Sequence, residues 1–109
     1  MKKFEAVLIF SPELQKTDLT KLNDFFKDQI SKFKGNLINE EDWGLRDLTY
    51  QIKNNKKAFY NFYQIEIEGS KVQEIKDSLN KNENILRYLF ITVDNHEELP
   101  TKLSLEKSN

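Results

Sequence analysis

Cysteine is absent from this chain, so neither a disulfide framework nor a thiolate metal site can form, and a reducing compartment suits it. Histidine occurs once, at His96 in a polar, acidic C-terminal stretch, which leaves no Ser-His-Asp relay and no histidine metal cluster to build. The three glycines, Gly35, Gly44 and Gly69, are too dispersed for a phosphate-cradling loop. No apolar run reaches the ~18 residues of a membrane span. The opening MKKFEAVLIF has two lysines and a short apolar stretch, but Glu5 interrupts it and no small-residue cleavage site follows, so it reads as a first strand. A basic excess is missing too: the formal net charge is −1, whereas a free-standing nucleic-acid binder usually shows a clear surplus. Glu40, Glu41 and Asp42 could suggest a metal site, yet consecutive strand residues point to opposite faces and such a run suits a solvated bend. No catalytic group, metal, cofactor or small-molecule ligand is expected, and the chain does not read as an enzyme.

What the chain does contain is charge segregation and two clear periodicities. Residues 1–34 carry seven Lys against five acids and 53–57 three Lys and no acid, while 40–47 holds four acids and one Arg. At 109 residues the chain is one domain, large enough for a two-layer core. Phe4 to Phe10 alternates, with Ala6, Leu8 and Phe10 on one face. Leu19, Leu22, Phe26, Ile30 and Phe33 recur at spacings of three and four, which predicts a helix over 13–34. Ser11-Pro12-Glu13 reads as its entry and Gly35 as its left-handed stop. A second strand follows over 36–53, then a turn at Asn54–Lys57, and a third strand over 58–68. In that strand Tyr63, Ile65 and Ile67 face one way and Tyr60, Phe62, Gln64 and Glu66 the other. Gly69-Ser70 with Gln73 resembles a capping box before a helix marked by Val72, Ile75 and Leu79, and Ile85 to Val93 is the last strand. Residues 94–109 lose all periodicity and are expected to form an acidic, mobile tail to a domain over 1–93.

The order β-α-β-β-α-β predicts an α+β, split βαβ (ferredoxin-like) two-layer sandwich. Its four-stranded antiparallel sheet has strand order 4-1-3-2, and both helices lie on one face. Strands two and four are then edges. The helix-free face would carry Val7, Ile9, Tyr60, Phe62 and Leu89 beside Glu5, Gln64, Glu66 and Arg87, a candidate contact surface; the plainer expectation pairs Arg87 with Glu5 or Glu66.

The most informative stretch is Glu40 to Lys53, EEDWGLRDLTYQIK. Leu48, Tyr50 and Ile52 share one strand face, Gly44 is placed for a bulge, and Arg46 follows on the same parity. Arginine is scarce: the chain has fifteen Lys and two Arg. A guanidinium makes forked contacts to carboxylate or phosphate that Lys cannot copy, although Arg46 could equally be a charge that guards an edge strand.

Phe4-Glu5, Gly35 after the long helix, Trp43 to Lys53, Phe62 to Ile65 and Asn84 to Arg87 together resemble the bacterial small-subunit ribosomal protein six family, over about residues 3 to 93. The chain departs from that family's usual pattern at Asp47, where a basic residue is frequent, at Thr49 and Gln51, where Ala or Ser and Pro are common, and at Ala58, where Gly is usual. The resemblance implies the same sandwich and a cytoplasmic, ribosome-bound structural protein. It also implies binding to small-subunit (16S) ribosomal RNA as a heterodimer with the more basic small-subunit protein eighteen, which would explain the missing basic excess. On that footing the RNA candidates are Lys2, Lys3, Lys53, Lys56, Lys57 and Arg87. The partner candidates are Trp43, Arg46, Leu48 and Tyr50 on strand two, with the acidic tail. The same sandwich also hosts regulatory or dimerising small-molecule-binding domains, which would need a convergent polar pocket. An acylphosphatase-like hydrolase would need an Arg and an Asn on a Gly-rich loop, where this chain has Ser11-Pro12-Glu13.

Overall fold

A computed structural model describes residues 1–96. Strand β1 (Lys2–Phe10) leads into helix α1 (Lys16–Lys32), then come β2 (Asn36–Ile52), β3 (Asn55–Ile67), a short 3-10 turn (Gly69–Lys71), helix α2 (Val72–Asn80) and β4 (Ile85–Val93). The sheet runs β2-β3-β1-β4, with β1 antiparallel to both β3 and β4. This is the split βαβ order expected from the periodicities, and β2 and β4 are the edges.

The core lies between the sheet and the helices. Every second residue of β1, Phe4, Ala6, Leu8 and Phe10, is buried against Leu22, Phe26 and Ile30 of α1 and Val72, Ile75 and Leu79 of α2. Leu19 and Phe33, at the two ends of the predicted stripe, pack against this core only in part. Tyr63, Ile65 and Ile67 complete it from β3. Tyr63 is fully buried, and its hydroxyl donates to Asn23 Oδ1 while accepting from Asn61 Nδ2 at 3.2 Å. Asn23 in turn donates to Glu40 at 3.2 Å, and Lys27 pairs with the same carboxylate. A polar chain therefore ties α1 to β2 and β3, and burial pushes the Tyr63 phenol well above its ordinary range.

Local signals were displaced in four places. Helix α1 starts at Lys16 rather than at 13, because Ser11 Oγ accepts from Glu13 N–H at 3.3 Å and closes a separate turn first. Lys34, with φ of 61°, takes the left-handed position after α1, and Gly35 is not among the positive-φ residues. Gly35 answers a need for space: a Cβ there would lie 2.8 Å from the Glu66 carbonyl oxygen and 3.0 Å from both Ile30 and Ile67. The expected capping box at Gly69-Ser70 makes no side-chain cap bond, and a 3-10 turn precedes α2 instead. The β2–β3 turn is tighter than 54–57: Lys53 and Asn54 alone link the strands, with φ of 48° and 67°, as a two-residue type I′ turn requires. The expected tail begins at Asp94, and its residues 97–109 lie outside the described residues.

Candidate interaction surface

Strand β2 is long, and three irregularities decide where its side chains go. The middle one falls at the expected glycine. Asp42 pairs with Asn61 and Gly44 with Tyr60, which leaves Trp43 as an extra residue in a bulge. Gly44 has φ of 73°, and Asp42 Oδ1 accepts its N–H at 2.8 Å. The bulge turns Trp43 onto the helix-free face. There its ring stacks on Phe62 with centroids 5.2 Å apart and planes 9° from parallel, and its Nε1–H donates to Glu41 at 3.0 Å.

Arg46 builds on that ring. Its guanidinium carbon lies 4.9 Å from the Trp43 ring centroid, and its Nε–H donates to the Trp43 carbonyl at 3.3 Å. Trp43 is only 3% exposed, so it supports the surface from beneath rather than forming it, while Arg46 is half-buried. Tyr60 sits next in line. Its phenol is raised chiefly by burial, with Arg46 lowering it and Tyr50 raising it further, which places all three groups in one electrostatic neighbourhood. Ile52, Ala58 and Leu86 form a second small core on this face, with Ile9, Leu48 and Tyr60 packed around it.

Arg87 closes the row. It stands opposite Ile9 on β4, and its guanidinium carbon lies 5.8 Å from the Tyr50 ring centroid. The expected pairing with Glu5 or Glu66 is not formed. Glu5 accepts from Gln64 Nε2 at 3.4 Å instead, and Gln64 also accepts from Asn39 at 3.3 Å. Buried Gln64 is thereby held between the two strands that flank it.

The lysines predicted for one function fall into two groups. Lys53, Lys56 and Lys57 cluster at the β2–β3 turn, with Arg87 close by through Tyr50. Lys57 is 3.8 Å from Asp47, so part of its charge is answered. Lys2 and Lys3 lie at the other end of the sheet, where Lys2 pairs with Ile67. The length of β3 separates the two groups by roughly 30–40 Å. The antiparallel pairing of β1 with β3 sets this separation, because it lays the start of β1 against the end of β3.

The cleft between α1 and β2, lined by Lys16, Asn23, Glu40, Asp42 and Asn61, offers no convergent free polar set. Asn23, Glu40 and Asn61 belong to the Tyr63 chain, and Asp42 holds the bulge. Among the described residues no three His, Cys, Asp or Glu side chains converge as metal ligands, and no helix is long and apolar enough to cross a membrane.

Compared with known proteins, the chain matches the Ribosomal protein S6 family over residues 3–92. It is 34% identical to small ribosomal subunit protein bS6 of Rickettsia felis, over 99% of this chain and 89% of that protein. With the bS6 of Orientia tsutsugamushi it shares 38% identity over 85% of this chain and 79% of the relative. The fold is also similar to a crystal structure of 30S ribosomal protein S6 from Thermotoga maritima, with a TM-score of 0.81 at 22% identity, covering 84% of this chain and 87% of that one.

Proposed function

Because the chain belongs to the ribosomal protein S6 family, a structural and non-enzymatic component of the small ribosomal subunit, we propose that it binds small-subunit ribosomal RNA jointly with small-subunit protein eighteen. The observation that carries the joint reading is the free outer edge of β2 beside an arginine already fixed in place. Strand β2 ends the sheet, Ile38 and Leu45 on it are exposed at 41% and 45%, and Arg46 is held on Trp43. An edge strand with exposed apolar residues and an oriented guanidinium suits another protein chain better than water. Arg46 and Leu48 serve this contact, with Trp43 as their support.

RNA is assigned to the lysines of the β2–β3 turn and Arg87, and to Lys2 and Lys3 as a separate contact on another stretch of backbone. A net charge of −1 supports weak binding by the chain alone, since phosphate neutralisation drives most of such affinity. The contacts are positioning contacts to phosphate and sugar.

Two substitutions separate the surfaces. Arg46→Ala should weaken heterodimer formation by about 1–3 kcal/mol and leave the salt dependence of RNA binding nearly unchanged. Arg87→Ala should lower the salt slope by about one unit or less, with partner affinity intact. Titration calorimetry with protein eighteen and filter binding across a salt series read these outcomes. Self-association of the Arg46→Ala chain with normal partner affinity would make Arg46 an edge guard instead.

A further inference from the structure

Tyr50, close to the β2–β3 turn, is a partner candidate by sequence but takes no part in the β2-edge contact proposed above. Between the Asp47–Lys57 and Ile52–Asn55 pairs, β2 carries four residues, Leu48 to Gln51, where β3 carries only Lys56. The surplus swells the strand outward. Leu48 and Ile52 turn into the second core, and Tyr50 between them is left 65% exposed. Among the described residues it is the one aromatic side chain in the exposed class. Folding alone gains little from holding a large ring in water, and bulges of this kind are devices that re-aim a side chain.

Its surroundings are cationic. The Arg87 guanidinium lies within cation–π range of the ring, and Lys53 and Lys56 are exposed on the same hairpin. From Leu48 to Ala58 the chain has no acidic residue. In sheets of this topology aromatic residues on the central strands can receive RNA bases. Here that place is taken, because Trp43 covers Phe62 and Tyr60 is half-buried.

Resting on the ribosomal-RNA reading above, we propose that Tyr50, backed by Arg87, is a stacking platform for an unpaired RNA base, with Lys53 and Lys56 contacting the phosphates beside it. An exposed phenol ring offers a π-face that any base can use, and stacking of this kind tolerates sequence. The cationic rim favours a polyanion over the neutral apolar side chains of a protein partner. Tyr50, first expected at the protein contact, thus belongs on the RNA side.

The test uses the full chain with protein eighteen and small-subunit ribosomal RNA. Wild type, Tyr50→Phe, Tyr50→Leu and Tyr50→Ala are compared by filter binding over a salt series, and partner affinity is measured separately. Tyr50→Ala and Tyr50→Leu should weaken RNA binding about 5- to 100-fold. Their salt slope should stay at the wild-type value, because the ring neutralises no phosphate. Tyr50→Phe should bind like wild type, and all variants should form the heterodimer normally. The proposal is overturned if Tyr50→Leu keeps full RNA affinity, if the loss appears in heterodimer formation instead, or if Tyr50→Ala changes neither. A wild-type chain that binds no ribosomal RNA would overturn the parent reading itself, an outcome distinct from any of these.

Discussion

Trp43→Ala is expected to destabilise the isolated protein by about 3–5 kcal/mol, lowering the thermal midpoint by on the order of 15 °C. The ring is 3% exposed, stacked on Phe62, and lies under the Arg46 guanidinium. Removing it opens a void above Phe62, leaves Glu41 without the indole donor, and takes the ring from beneath the guanidinium, which keeps its bond to the backbone carbonyl of residue 43. The bulge at Gly44 cannot collapse into the gap, because Asp42 pins it. Partner affinity should fall alongside stability, but by less than in Arg46→Ala. Trp43→Phe should recover most of the stability, since an aromatic ring still covers Phe62. Thermal denaturation followed by circular dichroism reads the effect. A midpoint within a few degrees of wild type for Trp43→Ala would mean that the ring is not the keystone of this face.

Gly35→Ala is expected to cost about 1–3 kcal/mol, and Gly35→Val more. The contact with the Glu66 carbonyl is with backbone, so relief requires moving β3 relative to the end of α1. The neighbouring Lys34 gives a control of opposite sign. It holds a left-handed φ of 61° that glycine adopts without steric cost, so Lys34→Gly should be neutral or slightly stabilising. If Lys34→Gly were the damaging change and Gly35→Ala harmless, the assignment of space to one position and backbone conformation to the other would be reversed. Thermal unfolding of the three variants decides it.

This pair also shows where sequence reasoning reached and where it stopped. Helix spacing in Leu22, Phe26 and Ile30, and alternation in β1 and β3, were legible because one face of each element is buried against a continuous core. The topology followed from those periods. Gly35 was legible as a stop but for the wrong physical reason, since the crowding comes from Glu66 and Ile67 on a strand distant in sequence. In β2 the bulge was readable from Gly44, but not its effect on Trp43, whose facing depends on which side of the ladder takes the extra residue. The contact between Arg87 and Tyr50 was likewise hidden. It requires Ile9 to stand between Tyr60 and Arg87, and the hairpin to swell by the residues around Tyr50. Composition separated the lysines into groups, and the antiparallel order of β1 beside β3 set Lys2 and Lys3 at the far end of the sheet.

The central claim is that this chain and small-subunit protein eighteen form one RNA-binding unit, each incomplete alone. Filter binding of labelled small-subunit ribosomal RNA by this chain, by protein eighteen, and by the two together at one fixed salt concentration tests it most directly. Adding protein eighteen should tighten binding of this chain by more than about tenfold, equivalent to ~1.4 kcal/mol. Equal affinity with and without the partner would contradict it.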